Sequence, residues 1–228
     1  MNITINKEVF EKLHPKLKVA FISVKDINNT EKLDEVLLLL KEVEEYIRFT
    51  YNKDTLKNHH MVSSWAMMEE RQLSKVKHQH SSLERIFHRV LDRREIAVKN
   101  VVQNLAYYLS LKNIIPMAVD DSDKLKGNLS VRLAKGTEKD SLRKGTLIYC
   151  DSAREGKVLG SKLDLWKSPR TRVTPQSKNV LLHIEALPPI TSKQFNQIVS
   201  ESVGLLRSFT GGRVKKIVLS KGKNSGEI

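Results

Sequence analysis

The chain has 228 residues, of which 39% are hydrophobic and 29% charged, as in an ordinary soluble globular protein. The formal net charge is +14, and the excess lies beyond residue 50: residues 1–50 carry 8 basic and 9 acidic side chains, whereas residues 51–228 carry 32 and 17. A basic chain attracts polyanions, of which nucleic acid is the commonest in a cell. A basic surface that serves only solubility is the alternative.

The composition also excludes several classes of protein. The single cysteine, Cys150, excludes an internal disulfide framework and fits a reducing compartment. No apolar run approaches the ~18–20 residues needed to cross a bilayer, and the first residues lack the apolar stretch of a signal peptide. No phosphate-binding glycine loop or paired-cysteine motif occurs. We therefore expect a cytoplasmic protein with no membrane partner and no cofactor.

The first half of the chain mixes strands and helices. The run ITI near the start and residues 17–24 predict strands. Residues 30–49 predict a helix capped by Asn29 or Thr30, and the stretch 52–77 predicts partial helix. Two further helices are predicted, at 81–92 with Ser81 or Ser82 as its cap, and at 100–111.

The second half is richer in short strands, predicted in NLSVRLA, GTLIYCD, KVLG and NVLLHIEAL. Thr191 or Ser192 caps a last helix that ends at Gly211-Gly212, before a strand, VKKIVLS, and a frayed tail. The fold class is therefore α+β, with mixed, mostly antiparallel sheets packed with helices. We expect an N-terminal α/β embellishment at 1–78, a main domain at 79–220 and a flexible tail at 221–228.

Short motifs occur in order from about residue 80 to residue 213. Asn100-Val101-Val102, followed by Asn104, lies at a predicted helix start, and Val131-Arg132-x-Ala134 lies in a predicted strand. The other motifs are Pro116 and Asp121, Gly145 to Asp151, Thr171-x-Val173, Asn179 to Leu182, and Leu205-Leu206 with Gly211-Gly212. Together these segments resemble the editing domain of the phenylalanyl-tRNA synthetase β subunit, in which the first motif is similar to the helix start beside the editing pocket. Other segments, His80 to Glu84 and Trp166 to Thr174, are closer to small freestanding proteins that carry this B3/B4 domain alone.

The chain departs from the family pattern at two pocket positions. The family's pocket histidine falls at Ala118, and its acidic residue falls near Pro169 or Arg170. The synthetase's aminoacylation and anticodon-binding modules have no counterpart, so the resemblance does not imply that the chain charges tRNA.

The resemblance implies hydrolysis of an aminoacyl-tRNA ester, for which a protein must orient a water and stabilise the oxyanion. Backbone N–H groups at the helix start near Asn100 are one candidate cradle for that oxyanion. The catalytic candidates are Asn100, Asn104, Thr171 and Glu185. The candidates for substrate binding are His80, Val101, Pro116, Asp121, Arg132, Trp166 and Thr174.

Structural roles remain open for these residues. Asn100 is a good helix N-cap, Glu185 fits the solvent face of an edge strand, and Arg132 fits an exposed cross-strand charge. Thr171 and Thr174 flank a turn, where hydroxyls often bond backbone. Asp120, Asp121 and Asp123 fit loop and capping roles better than a metal site, Cys150 fits core packing, and the histidines lack the spacing of metal ligands.

The candidates for nucleic-acid contact combine positive charge with predicted loops or the last strand. Trp166 is a candidate for stacking on the unpaired end of a tRNA, with core packing as its alternative. The basic candidates are Lys162, Lys167, Arg170, Arg172, Arg213, Lys215 and Lys216.

These observations favour a tRNA-binding protein that hydrolyses mischarged aminoacyl-tRNA in trans, following the double-sieve logic of a second site that destroys wrong products. The partner is then the aminoacylated acceptor end of tRNA. The alternative is a non-catalytic module that holds tRNA or an amino-acid ligand in the same pocket. A basic scaffold without an RNA role is a third reading.

Overall fold

The computed structural model describes residues 1–72, 81–137, 142, 144–152, 158–161 and 169–228. The helices are α1 (Lys7–Lys12), α2 (Leu33–Thr50), α3 (Lys53–Lys57), α4 (His60–Gln72), α5 (Ser82–Leu91), α6 (Val101–Asn113) and α7 (Ser192–Thr210). The strands are β1 (Asn2–Ile5), β2 (Lys18–Lys25), β3 (Met117–Asp121), β4 (Leu129–Leu133), β5 (Leu147–Asp151), β6 (Val158–Ser161), β7 (Val180–Ala186), β8 (Arg213–Leu219) and β9 (Ser225–Glu227). Short 3-10 helices lie at Ser122–Lys124 and Pro169–Thr171.

Within the described residues the strands form two sheets. The first sheet has the order β6-β5-β4-β1-β9, and the second has the order β3-β7-β2-β8. The β1–β4 pair is parallel, and the other paired strands are antiparallel. The predicted α+β class with mostly antiparallel sheets is confirmed.

Strand β2 shows how the second sheet separates two cores. Val19 and Phe21 lie in an apolar cluster shared with the first sheet, whereas Ala20, Ile22 and Val24 lie in a cluster shared with α6 and α7. Successive side chains of a strand point to opposite faces, so this run is apolar on both sides because both sides are buried. The second sheet is thus the middle layer, between the first sheet and the helices.

The remaining helices form a smaller third core. The apolar face predicted for α2 packs, through Leu40, Val43 and Ile47, with residues of α5 such as Phe87. Helix α5 begins with a capping box in which the Ser81 hydroxyl accepts from the Glu84 backbone N–H. Thr191 caps α7 in the same way. The caps predicted for these two helices are confirmed.

The two ends of the chain differ from the predicted organisation. Strand β1 lies between β4 and β9, and β2 lies between β7 and β8, so the first 25 residues supply interior strands of both sheets. The predicted flexible tail is wrong: β9 pairs with Asn2–Thr4, and Gly226 lies against Ile217 and Leu219. Sequence pattern identifies a strand but not a partner more than 200 positions away, and the polar tail has no strand signature of its own.

None of the helices in the described segments is long and apolar enough to cross a membrane.

We predict that removal of residues 224–228 lowers the free energy of unfolding by about 2–4 kcal/mol, because β1 loses several main-chain hydrogen bonds. These include the bonds from the Ile5 N–H to the Asn224 carbonyl (2.8 Å) and from the Ile228 N–H to the Met1 carbonyl (3.0 Å). Urea denaturation measures the change, with Lys221→Ala in the exposed turn as the control. An unchanged denaturation midpoint in the shortened chain contradicts an integral role for β9.

Candidate functional site

The start of α6, where the sequence predicts an anion cradle, is occupied by the protein itself. The carbonyl and side-chain oxygen of Asn29 accept from the N–H groups of Val101 and Val102, each at 3.0 Å. The Asn100 side chain accepts from the Gln103 N–H at 2.9 Å. The first three amides of the helix therefore have protein acceptors. The predicted oxyanion cradle is wrong in this conformation, and Asn100 acts as the N-cap.

The other candidates near this helix also hold the fold together. The Asn104 side chain accepts from the Val98 N–H (2.9 Å) and donates to the Val98 carbonyl (2.7 Å). The Pro116 carbonyl accepts from the Glu185 N–H, and the side chain of Val101 is fully buried in the helix-side core. These contacts give the three residues structural roles, and the site must be sought elsewhere.

A polar cluster lies on the opposite face of the second sheet, within the core between the two sheets. His183 and Glu185 are two positions apart on β7, so they share the face on which Leu181 and Leu187 enter the inter-sheet core. Asp120 pairs with Leu181 in the β3–β7 register and lies on the same face. Tyr149 reaches this core from β5, and Thr171 reaches it from the short helix Pro169–Thr171. We call Asp120, Tyr149, Thr171, His183 and Glu185 the His183 cluster.

The imidazole of His183 lies between two carboxylates. Its Nδ1 is 2.9 Å from Oε1 of Glu185, and its Nε2 is 3.7 Å from Oδ2 of Asp120. The Thr171 hydroxyl donates to Oδ1 of Asp120. All of these side chains are at most 1% exposed. A neutral imidazole donates one hydrogen bond and a protonated one donates from both nitrogens, so the arrangement suits a ring that gains and loses a proton.

Two aromatic rings enclose the imidazole. The ring centroids of Phe21 and Tyr149 lie 6.1 Å and 5.9 Å from that of His183. Burial, followed by the negative charges of Asp120 and Asp151 and by Cys150, raises the pKa of Tyr149 well above its usual value. The phenol therefore stays protonated near neutral pH and keeps a hydrogen that it can donate.

The cluster approaches the protein surface at Thr171. Arg170 and Arg172, its neighbours in sequence, are exposed. The Lys124 ammonium donates to the Arg172 carbonyl at 2.7 Å and lies 3.1 Å from Oδ2 of Asp121. We call Lys124, Arg170 and Arg172 the basic rim. Its two arginines flank the buried Thr171 in sequence, and its lysine contacts the backbone of Arg172.

Asp121 and Thr174, both predicted to bind substrate, hold this segment in place. The Ser177 hydroxyl donates to Oδ2 of Asp121 at 2.7 Å and accepts from the Thr174 N–H at 3.0 Å. The Asn29 side chain donates to the Thr174 carbonyl at 2.8 Å. The two residues therefore position the basic rim.

The remaining candidates lie apart from the cluster. Val131 and Tyr149, cross-strand partners, face the inter-sheet core, so Arg132 points to the opposite face of the first sheet. The exposed Arg213, Lys215 and Lys216 lie on the edge strand β8, which β2 separates from β7 by about 10 Å. The structure thus divides the basic candidates between two surfaces. His80, Lys162, Trp166 and Lys167 lie outside the described residues.

A cavity of about 660 Å³ lies elsewhere, between the start of α4, the end of α6 and α7. None of its lining residues belongs to the His183 cluster; they include His60, Lys112, Pro189, Gln197 and Glu201. Within the described residues, no group of three or more His, Cys, Asp or Glu side chains is arranged to hold a metal ion. The His183 cluster, by contrast, brings a histidine, two carboxylates and a threonine hydroxyl together.

The B3/4 domain family matches residues 65–204, which is more than half of the chain. The chain belongs to the B3/4 domain family. The match contains every residue of the His183 cluster, whereas α2 and the first two strands precede it. Among curated proteins none matches the chain in sequence.

Among solved structures, one that is similar to this B3/4 protein is an N-terminal fragment of the phenylalanyl-tRNA synthetase β subunit from Pyrococcus horikoshii. The two chains are 14% identical and superpose with a TM-score of 0.42, over 95% of this chain and 53% of that one. The chain thus spans about half the length of that fragment.

Sequence reasoning missed His183 and Tyr149 and assigned Asp120 to a loop. Asp120 instead lies in β3 and is fully buried, because the strand extends through it and pairs with β7. Glu185 is also buried, on an interior strand, and does not face solvent. The alternation of NVLLHIEAL was the available signal, since it places His183 and Glu185 on one face.

The position of His183 is relevant to Ala118, one of the two positions where the sequence departs from the pattern of the synthetase editing domain. Ala118, where the resemblance to the synthetase editing domain leads us to expect a histidine, is the cross-strand partner of His183 in the β3–β7 register. An imidazole is therefore present on the same face of the sheet, one strand away.

We predict that Tyr149 makes stability fall in alkali. The unfolded phenol loses its proton near pH 10, whereas the buried phenol keeps it, so the free energy of unfolding decreases as the pH rises above about 10. Tyr149→Phe removes this contribution and flattens the decrease. Urea denaturation between about pH 9 and about pH 11 measures the slope. Tyr46→Phe, at a ring that is 58% exposed, is the control; equal slopes in wild type and Tyr149→Phe contradict the prediction.

Proposed function

We propose that this B3/4 protein binds the aminoacylated acceptor end of tRNA and hydrolyses the ester of a wrongly attached amino acid. The observation that carries the proposal is the His183–Glu185 pair, which lies with Thr171 and Asp120 beside an exposed basic rim. The sequence resemblance to the synthetase editing domain spans the same residues and supports this choice of substrate.

The charge of the protein supports a nucleic-acid substrate. The formal net charge is +14, and the basic rim lies next to Thr171, the member of the cluster closest in sequence to exposed residues. Arginine guanidinium groups bind phosphates through two parallel hydrogen bonds and set affinity rather than sequence choice. In this proposal Arg170 and Arg172 contact the phosphates of the acceptor end and bring its terminal ester toward the cluster.

The cluster supplies the groups that ester hydrolysis needs. His183 takes a proton from a water as the water oxygen attacks the acyl carbon, and Glu185 holds the ring through Nδ1. The hydroxyl of Tyr149 donates to the oxyanion that forms, whereas the Thr171 hydroxyl donates to Asp120 and holds that carboxylate beside the imidazole. The bond between the acyl carbon and the ribose oxygen then breaks, and the ribose oxygen takes the proton from His183. The products are free amino acid and uncharged tRNA.

The second candidate function is binding without hydrolysis. One observation favours it: His183 and Asp120 are fully buried and Glu185 is 1% exposed, so an acyl group reaches them only if neighbouring side chains move. A protein of this kind holds the acceptor end at the basic rim and leaves the ester intact.

We predict that His183→Gln lowers the rate of ester hydrolysis by about 100-fold or more while tRNA affinity stays within about two-fold of wild type. Glutamine keeps a polar side chain but cannot accept and return the proton. The measurement is the release of labelled amino acid from a panel of aminoacyl-tRNAs, and the control is His14→Gln, two residues beyond α1.

Two results separate the candidate functions. Turnover by His183→Gln at the wild-type rate contradicts the role given to His183. Tight binding of aminoacyl-tRNA by the wild type, with no ester loss above background for any amino acid, selects the binding module.

We predict that the double variant Arg170→Ala/Arg172→Ala binds tRNA roughly 10-fold more weakly, because two phosphate contacts are lost. The negative slope of log affinity against log salt concentration becomes less steep by about two. Fluorescence anisotropy with labelled tRNA measures both, and Lys7→Ala/Lys16→Ala, which removes two exposed charges from the α1 region, is the matched control.

The same titration tests the alternatives. Loss of binding in Lys215→Ala/Lys216→Ala with wild-type binding in the Arg170/Arg172 variant assigns the RNA to β8 and contradicts the proposed surface. No tRNA binding by the wild type at about 50 mM salt, where phosphate contacts are strong, supports a basic scaffold without an RNA role.

A further inference from the structure

The outer face of α2 exposes large apolar side chains. Its inner face is buried through Val36, Leu40, Val43 and Ile47. On the outer face Leu38 is 64% exposed, Tyr46 58% and Phe49 93%. Of the described residues, the only other large hydrophobic side chain with comparable exposure is Met67 on α4, at 57%. Single exposed apolar residues are common, but three on one face of one helix mark an interaction surface.

Four residues on the outer face of α2 form one line parallel to the helix axis. The line runs from Leu38 through Glu42 and Glu45 to Phe49, at intervals of four, three and four residues. The line is about 16 Å long. Tyr46 is exposed beside it. Two glutamates thus lie between two apolar anchors, a pattern that fits a partner with basic residues between apolar ones.

The charge of this face is opposite to that of the rest of the chain. Asp34, Glu35, Glu42 and Glu45 are exposed on α2 against one exposed base, Lys41. Residues 51–228 carry 32 basic and 17 acidic side chains. The face therefore repels nucleic acid and anionic lipid surfaces and attracts a basic partner. Helix α2 also precedes the residues that match the B3/4 family.

A second copy of the chain is a poor occupant of this face. A symmetric contact through α2 would bring the glutamates of two copies together, which is unfavourable. A contact between α2 and the basic β8 edge of another copy would be head-to-tail, and such contacts build rings or open filaments and not a two-fold dimer. Charge complementarity therefore favours a different protein.

We propose that the outer face of α2 binds a basic amphipathic helix of another protein. Apolar side chains of that helix contact Leu38 and Phe49, and its Lys or Arg side chains face Glu42 and Glu45. The proposal does not depend on the tRNA proposal, since the basic rim and the acidic face attract opposite charges.

The test uses the full chain and a fluorescein-labelled helical peptide of roughly 18 residues, with Leu on one face and Lys on the other positions. We expect Phe49→Ser and Glu42→Lys/Glu45→Lys each to weaken binding at least tenfold in fluorescence anisotropy. Met67→Ser, at another exposed apolar side chain, and Glu11→Lys/Glu227→Lys, which makes the same change in charge, are the controls, and both should bind as wild type does. A peptide of the same composition in scrambled order should bind at least tenfold more weakly.

Three outcomes overturn the proposal. The first is equal binding by wild type and the α2 variants, which shows that the peptide contacts another surface. The second is no binding of the peptide by the wild type. The third is a wild-type dimer in sedimentation equilibrium that Phe49→Ser converts to a monomer, which assigns the face to a second copy.

Discussion

The structure depends on strand β7, which is hydrogen-bonded on both sides and buried on both faces. It pairs with β2 along its whole length, and it pairs with β3 from Met117 to Asp121. Leu182 and Ile184 pack toward α6 and α7, whereas Leu181 packs toward the first sheet. Because side chains alternate along a strand, this register determines that His183 and Glu185 enter the inter-sheet core together. A shift of one residue would move both to the helix side and leave the basic rim without a polar cluster beside it.

The His183 cluster is unusually polar for a group of side chains within an apolar core. Burying an ionised side chain is costly unless charged and hydrogen-bonding partners compensate it, and apolar replacements of buried ion pairs are often neutral or stabilising. The imidazole of His183 has the Glu185 and Asp120 carboxylates on its two nitrogens, and the phenol of Tyr149 stays neutral beside them. Stability alone therefore gives no reason to keep the cluster between the sheets, and chemistry or ligand binding is the better reason.

The sequence predicted what local pattern determines and missed what distant pairing determines. The apolar period of α2 and the caps at Ser81 and Thr191 depend on neighbouring residues and were predicted correctly. The helix start at Asn100 is as predicted, but the expected oxyanion cradle is filled by Asn29, which is 73 positions from Val102 and accepts from the Val101 and Val102 amides. Thr171 and Glu185 were selected as candidates, but His183 and Asp120 were not, since the β3–β7 register that brings them together is not visible in sequence.

The acidic face of α2 and the basic rim are connected by a short path of contacts. Asn29 lies just before α2, its side chain donates to the Thr174 carbonyl, and Ser177 links the Thr174 N–H to Asp121 beside the rim. Such a path is not by itself evidence that binding at one surface affects binding at the other. That coupling requires an element with two conformations whose relative populations both ligands change. The Asn29 side chain is buried; its amide nitrogen donates to the Thr174 carbonyl and its oxygen accepts from the Val102 N–H. These contacts alone therefore give no reason to expect coupling between the surface proposed on α2 and the RNA surface proposed at the basic rim.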